Sequence, residues 1–247
     1  MKIALIQIAS TEENPQANLD KISEFAQKAK EQGANIAMFH EGTLTDYVRD
    51  VSKFAQEVPG GQACQFVIKL AKELQIGISF GLIEKDGIRH FITQVFIDPS
   101  GFVYRYRKTW LYPTEDRIKR ERRHRNEPAF FNPGSGPELF DFMGIKNASC
   151  IICADTFSEK CFADLHELKP NIIFYPNNRE IARGAEYWTG IAKKAQAPLL
   201  VTNRVGISWG ERCEGGCFVI SKDGEVLATT ETQDEEILVF DLDKLSL

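Results

Sequence analysis

Cys153 has the side chain best suited to covalent chemistry, because it lies where an apolar segment gives way to a polar one. It closes the apolar run 148–153, and the polar stretch 154–159 follows. An apolar run of this length is typical of a buried strand. A thiol at the carboxyl end of such a strand lies at the edge of a sheet, where open α/β folds bind their ligands. Cys153 is therefore a candidate nucleophile.

Two further predicted strands also end in charged residues. The run 36–39 leads into Glu41, and the run 102–107 leads into Lys108. A carboxylate at this position could take the proton of a thiol, since only the thiolate is a strong nucleophile. An ammonium group could stabilise the negative charge that develops on a substrate oxygen during attack. The three strand ends together predict a nucleophile, a base and a cation.

The cysteines also allow other interpretations. Cys150 and Cys153 form a C-x-x-C pair, and Cys213 and Cys217 form a second close pair, a pattern found in zinc sites. Residues three apart on a strand point to opposite faces, so Cys150 and Cys153 should not bind one ion, and we predict no metal. None of the four histidines lies in a cysteine-protease signature. His40 could line a pocket or be structural.

The elements that must position these side chains alternate between strands and helices. Asn14 followed by proline predicts a helix start, and Gly33 predicts its end. Turn residues at 98–101 and 222–224 predict hairpins. We find no repeat or linker. Further helices are predicted at 63–74 and 181–195, and strands at 3–8, 36–39, 78–83, 94–97, 102–107, 148–153, 172–175, 199–202, 217–220 and 225–227.

Composition sets limits on the class of protein. The 247 residues are 43% hydrophobic and 26% charged, which suits one large α/β domain over 1–247. The net charge of −5 gives no reason to expect nucleic acid, and no apolar run is long enough to span a membrane. Six cysteines in a chain of this length do not indicate a disulfide scaffold. We expect a cytoplasmic protein.

Four short motifs, in this order, resemble the nitrilase (carbon–nitrogen hydrolase) superfamily. They are residues 40–47, residues 106–111, Glu127 ahead of residues 130–134, and residues 153–159. The similarity extends from residues 3–7 to the terminal segment 237–241. It implies an α/β fold in which two mixed sheets pack face to face beneath outer helices, an α-β-β-α sandwich. Periodicity alone does not predict the second sheet.

The resemblance also implies roles for individual residues. Glu41, Lys108 and Cys153 match the family's Glu-Lys-Cys triad, and Glu127 looks like its second active-site glutamate. The implied activity is hydrolysis of a small linear amide or carbamoyl compound through a thioester, without a cofactor. A nitrilase, or an inactive binding or regulatory module of the same fold, is the alternative. The implied substrate-binding residues are Tyr47, Ala154, Asn177 and Trp110.

Several positions near the implied triad depart from the family pattern, which leaves the substrate open. His40 replaces a proline, Asp46 a glycine, Trp110 a histidine and Ser158 a proline. Residues 197–198 are Ala-Pro where the family often has Glu-Asn.

Two further features concern partners. The basic segment 117–125 could contact a partner subunit or solvent, or one of its arginines could bind an anionic group of the substrate. The family resemblance implies at least a homodimer. Tyr187, Trp188 and Ile191 in the predicted helix 181–195 form an apolar group that could serve a core or an interface.

Overall fold

The computed structural model describes residues 1–113, 126–208 and 210–245. Strands and helices alternate along these residues as the sequence predicts. The strands are β1 Lys2–Gln7, β2 Ile36–Met38, β3 Gly77–Asp86, β4 Arg89–Asp98, β5 Gly101–Arg107, β6 Phe140–Phe142, β7 Ile145–Cys150, β8 Ile172–Pro176, β9 Leu199–Thr202, β10 Val205–Ser208, β11 Glu211–Glu214, β12 Phe218–Ile220, β13 Val226–Thr229 and β14 Glu236–Asp241. The α-helices of this part of the chain are α1 Pro15–Glu31, α2 Val51–Phe54, α3 Gln62–Leu74, α4 Glu159–Leu168 and α5 Ala185–Ala195.

The strands form two mixed, six-stranded sheets and one short hairpin. The first sheet has the order β14-β1-β2-β3-β4-β5, the second has the order β13-β12-β9-β8-β7-β6, and β10 pairs with β11. In each large sheet the three central strands run parallel and the outer ones antiparallel. The two sheets therefore share one pattern of parallel and antiparallel pairs, although the sequence shows no repeat.

Three apolar layers make the molecule the predicted α-β-β-α sandwich. One cluster packs α1 and α3 against the outer face of the first sheet, with Phe25 and Val67 among its buried residues. A second lies between the sheets, where Phe96 contacts Phe174 with ring centroids 5.1 Å apart. A third packs α4 and α5 against the second sheet around Trp188. Burial of these apolar faces is the main favourable contribution to folding.

Local sequence signals account for where the first helix begins and ends. The side chain of Asn14 accepts a hydrogen bond from the backbone N–H of Ala17 at 3.1 Å, which caps α1, and Pro15 occupies its first turn. Gly33 follows the helix with a φ of 81°, a left-handed conformation that glycine adopts without strain. The predicted helix between Asn14 and Gly33 is thus confirmed.

The structure corrects three sequence predictions. The helix predicted over 181–195 begins at Ala185, because 181–184 form an exposed loop at the rim of a pocket. Strand β7 ends at Cys150, so Cys153 lies beyond the strand. The short strands β6, β10 and β11 were not predicted, since each is interrupted by polar residues or glycine and none forms a continuous apolar run.

The basic segment 117–125, which could contact a partner subunit, solvent or the substrate, lies outside the described residues. Within the ranges that the structure covers, no helix combines the length and apolar character needed to cross a membrane.

Candidate active site

The ammonium group of Lys108 lies between two carboxylates. Its Nζ atom donates to Glu41 Oε1 at 2.8 Å and to Glu127 Oε1 at 2.7 Å. The Lys108 side chain is only 1% exposed, so both ion pairs are shielded from water. Lys108 follows β5, Glu41 follows β2, and Glu127 opens a short 3-10 helix, Glu127–Ala129. The fold therefore brings together three charges that are far apart in the sequence.

Close backbone packing fixes the two strand ends that carry Glu41 and Lys108. Gly81 in β3 lies so close to the segment 40–42 that a Cβ atom there would collide with its backbone. Gly134 lies equally close to Arg107, and its N–H donates to the carbonyl of Lys108 at 2.9 Å. Only glycine permits such an approach at both positions. These contacts fix the backbone at the two positions that carry the carboxylate and the ammonium group.

Cys153 begins a short 3-10 helix, Cys153–Phe157, immediately after the second sheet. Its φ of 40° is in the left-handed region, which is unusual for a residue with a side chain. The backbone carbonyl of Cys153 accepts hydrogen bonds from the hydroxyl groups of Tyr175 at 2.6 Å and Thr156 at 3.2 Å. The strained turn is thus held from its carbonyl side, and the thiol faces a pocket.

Asp155 joins the cysteine turn to the lysine segment. It is fully buried, and its carboxylate accepts from the backbone N–H groups of Thr109 at 2.9 Å, Trp110 at 2.7 Å and Ile152 at 2.7 Å. It also accepts from the hydroxyl of Tyr106 at 2.8 Å. Four donors explain how a carboxylate can be buried without a cation. Sequence reasoning missed this role.

The pocket in front of the thiol has a volume of about 230 Å³. A smaller cavity of about 30 Å³ adjoins it behind Glu41 and shares Tyr47, Glu127 and Asn178 with it. The larger pocket is lined by Tyr47, Lys108, Tyr112, Glu127, Cys153, Ala154, Phe157, Asn178, Arg179, Glu180, Ile181 and Arg183.

Burial and charge set the protonation of this site. Burial raises the pKa of Cys153 to about 11, although the positive charge of Arg179 opposes the shift. Burial likewise raises the pKa of Glu127 to about 7, against the opposing effect of Lys108. Burial alone would lower the pKa of Lys108, but its two carboxylates raise it well above the ordinary range. At neutral pH Lys108 is charged and Cys153 is a thiol.

The four predicted substrate-binding residues differ in where they lie. Tyr47 and Ala154 line the pocket. Asn177 does not; it is buried, and its side-chain oxygen accepts from Nε of Arg179 at 3.0 Å. Trp110 is also absent from the lining and packs against Phe157, with ring centroids 5.3 Å apart.

The two residues after Asn177, Asn178 and Arg179, line the pocket instead, and sequence reasoning missed both. The run of polar residues after the strand 172–175 was the available signal, but it does not show which side chain turns inward.

A second buried ionic cluster lies beside the first and explains two departures from the family pattern. Arg204 is fully buried and forms an ion pair with Asp46. Asn178 donates to Asp46 Oδ1 at 3.1 Å. His40 is also fully buried, and its ring nitrogens pair with Ser10 Oγ at 3.0 Å and with a backbone carbonyl at 2.8 Å. Burial lowers the pKa of His40 to about 3, so this histidine is neutral and structural.

The cysteine pairs lie in different surroundings. Cys150 is fully buried between the sheets, whereas Cys153 lines the pocket. Cys213 and Cys217 are buried as well. Among the residues that the structure covers, no group of three or more His, Cys, Asp or Glu side chains is arranged to hold a metal ion.

Comparison with known proteins identifies the family to which this chain belongs. The family model described as carbon-nitrogen hydrolase matches residues 2–246, so the chain belongs to this family. It is 26% identical to a nitrilase from Pyrococcus abyssi (98% of this chain, 90% of the relative). It is also 26% identical to an N-carbamoylputrescine amidase from Oryza sativa subsp. japonica (99% of this chain, 87% of the relative).

A solved structure supports the fold independently. A mutant of the Nesterenkonia AN1 amidase from the nitrilase superfamily superimposes with a TM-score of 0.81 at 24% identity, over 98% of this chain and 90% of that one. The match confirms the predicted nitrilase-like sandwich.

Proposed function

We propose that this carbon–nitrogen hydrolase cleaves a small linear amide or carbamoyl compound through a cysteine thioester, with Glu41, Lys108 and Cys153 as its triad. The observation that carries the proposal is a buried Lys108, held by Glu41 and Glu127, in the pocket that Cys153 lines. A buried cation with two carboxylates next to a thiol provides a nucleophile, a base and an anion-stabilising group.

In the proposed mechanism, Glu41 takes the proton of the Cys153 thiol while the sulfur attacks the substrate carbon. The electron pair of the C=O bond moves to oxygen, where Lys108 and the backbone N–H of Ala154 stabilise the negative charge. When this intermediate collapses, the C–N bond breaks and the leaving amine takes the proton from Glu41. A thioester remains. Glu41 then activates a water molecule, whose attack releases the acid and restores the thiol.

The raised pKa of Cys153 decides the timing of the first proton transfer. A thiol with a pKa of about 11 is protonated at neutral pH, so Glu41 must remove the proton during the attack. Lys108 contributes little to ionising the thiol beforehand, because its charge is already balanced by two carboxylates. Its proposed role is stabilisation of the oxyanion.

We assign Glu127 a supporting role. Its Oε1 atom accepts a hydrogen bond from Lys108, and its Oε2 atom accepts one from the backbone N–H of Tyr112 at 2.7 Å, so both carboxylate oxygens are occupied. A carboxylate held in this way positions the lysine and accepts a hydrogen bond from its ammonium group. We therefore assign the role of general base to Glu41.

The test of this proposal is ammonia release from a panel of small amides, carbamoyl compounds and nitriles. We expect at least one amide or carbamoyl compound to be hydrolysed by the wild type, and Cys153→Ala to release none. Cleavage restricted to nitriles would favour the alternative of a nitrilase, which the similarity to the Pyrococcus protein supports. Turnover that persists in Cys153→Ala would refute the mechanism.

An inactive binding or regulatory module of the same fold is the hypothesis from another class, and the departures from the family pattern near the proposed triad favour it. Thiol alkylation separates the two. An active site should contain one cysteine that is alkylated faster than the buried ones, and peptide mass analysis should locate it at Cys153. Equally slow labelling of all six cysteines would favour the inactive module.

We also propose a homodimer or a higher homo-oligomer, as the family resemblance implies. The aromatic group in α5 does not support this proposal, because Trp188 and Ile191 are buried in the core and Tyr187 contacts Arg179. Static light scattering that reports a monomer at micromolar concentration would contradict it.

A further inference from the structure

Arg179 places a positive charge in the pocket wall next to the proposed nucleophile. It follows β8, and its Nη2 atom donates to the backbone carbonyl of Cys153 at 3.2 Å. Nε donates to Asn177 at 3.0 Å, and Nη2 also donates to the Tyr187 hydroxyl at 3.0 Å. The guanidinium lies 5.2 Å from the centre of the Tyr187 ring. These contacts fix the plane and position of the group.

Among the described residues, the charge of Arg179 has no carboxylate partner. Each fully buried cation in that part of the chain has one: Lys108 pairs with Glu41 and Glu127, and Arg204 with Asp46. Arg179 makes hydrogen bonds only to neutral oxygens of the described residues, and its Nη1 atom makes none to them. A guanidinium that lines a pocket and has only neutral partners among the described residues is suited to bind an anionic group that enters the pocket from solution.

We propose that Arg179 binds an anionic group on the acyl part of the substrate, so that the enzyme hydrolyses short amides or carbamoyl compounds that carry a carboxylate. Arg179 contacts the backbone carbonyl of Cys153 and lines the same pocket as its thiol, so we place the bound carboxylate on the same side of the pocket as the reacting carbon. A guanidinium recognises a carboxylate by charge-assisted hydrogen bonds, and Nη1 is available to make one. This inference rests on the proposed function, because it takes Cys153 as the residue that attacks.

The test uses two alkylating probes of nearly equal size, iodoacetate and iodoacetamide, which differ mainly in charge. In both cases the Cys153 sulfur displaces iodide, and peptide mass analysis confirms the labelled residue. The measured quantity is the ratio of the two rates, divided by the same ratio for free cysteine. We expect this normalised ratio to favour iodoacetate in the wild type and to fall by about tenfold in Arg179→Gln, the size expected for one charge-assisted hydrogen bond.

Two variants serve as matched controls. Arg89→Gln removes the charge of an exposed arginine that does not line the pocket and should leave the ratio unchanged. Arg179→Lys keeps the positive charge but lacks the planar guanidinium group, and it should retain part of the preference for iodoacetate. Thermal unfolding of each variant checks that the fold persists.

The outcomes separate this inference from the proposed function. If Arg179→Gln slows both probes equally, the arginine only positions the cysteine turn and the inference is wrong. The inference is also wrong if the wild type shows no preference beyond that of free cysteine. If neither probe labels Cys153 faster than the buried cysteines, it is the proposed function that fails.

Discussion

Two buried ionic clusters each take a carboxylate from the segment 40–47, and they differ in how their charge is balanced. Lys108 has two carboxylates, and its cluster opens onto the pocket beside Cys153. Arg204 has one carboxylate, Asp46, and its remaining donors reach backbone carbonyls of Ser10 and Val205, both at 3.3 Å. The first cluster carries an excess of negative charge beside a thiol. The second is neutral and closed.

The difference shows what each cluster can do. A buried cation with one carboxylate and its remaining contacts made is a structural unit, because removing either partner leaves an unpaired charge. When a cation pairs with two carboxylates, one carboxylate can accept a proton while the other still holds the lysine in place. We therefore expect substitutions in the first cluster to affect turnover and those in the second to affect stability.

The largest effect should come from Cys153→Ala, which removes the group that the first cluster serves. We expect ammonia release to fall to background, a loss of about a thousandfold or more, with an unchanged thermal midpoint. Cys150→Ala is the matched control, because this thiol is buried between the sheets and should affect stability only. Equal activity losses in the two variants would contradict the assignment.

Lys108→Met should lose activity by at least about a hundredfold, the cost of one missing oxyanion donor. It should also lower the free energy of unfolding, because Glu41 and Glu127 would face each other without a cation. Steady-state kinetics and urea unfolding measure the two effects. Lys85→Met, at an exposed position of β3, controls for loss of a surface lysine. A Lys108 variant within a few-fold of the wild type would show that the first cluster is structural.

Arg204→Met should reverse this pattern. Loss of the buried partner of Asp46 should reduce the free energy of unfolding by about 3–5 kcal/mol. The kcat/KM of the folded variant should change by less than about tenfold, since Arg204 does not line the pocket. The double variant Arg204→Met/Asp46→Asn should recover part of the stability. An activity loss as large as that of Lys108→Met would show that the second cluster also serves catalysis.

The smallest effect concerns pH, and the two clusters should respond in opposite directions. The folded-state pKa of Glu127 is raised from 4.5 to about 7, so the native state binds more protons than the unfolded state in this window. Its contribution to stability is full below about pH 4.5 and is lost as the pH rises to about 7. The pKa of His40 is lowered from 6.5 to about 3, so its contribution is full above pH 6.5 and is lost as the pH falls.

Urea unfolding at a series of pH values measures both contributions as differences from the wild type. Between about pH 4.5 and 6.5, the stability of Glu127→Gln relative to the wild type should rise with pH, whereas that of His40→Gln should fall. Two parallel curves would show that the clusters do not titrate as inferred.

Much of the fold and the proposed triad could be predicted from the sequence. Apolar runs mark buried strands, and the charged residues that follow them place Glu41 and Lys108 at sheet edges. For Cys153 the pattern gives only the neighbourhood, because the strand ends at Cys150. That Glu127 shares the lysine was implied by the family resemblance alone. The two-layer arrangement of sheets also came from the resemblance, because periodicity does not show which sheet a strand joins.

Tertiary structure alone decided the rest. Beyond the end of a strand the alternation of side chains no longer holds, so the sequence could not show that Asn178 and Arg179 line the pocket while Asn177 lies beneath it. The ion pair of Asp46 with Arg204 joins residues 158 apart, and the four donors on Asp155 come from two separate segments. The sequence determined where charged and nucleophilic groups meet the sheet edge, because burial is a local property. Their partners depend on contacts that exist only after folding.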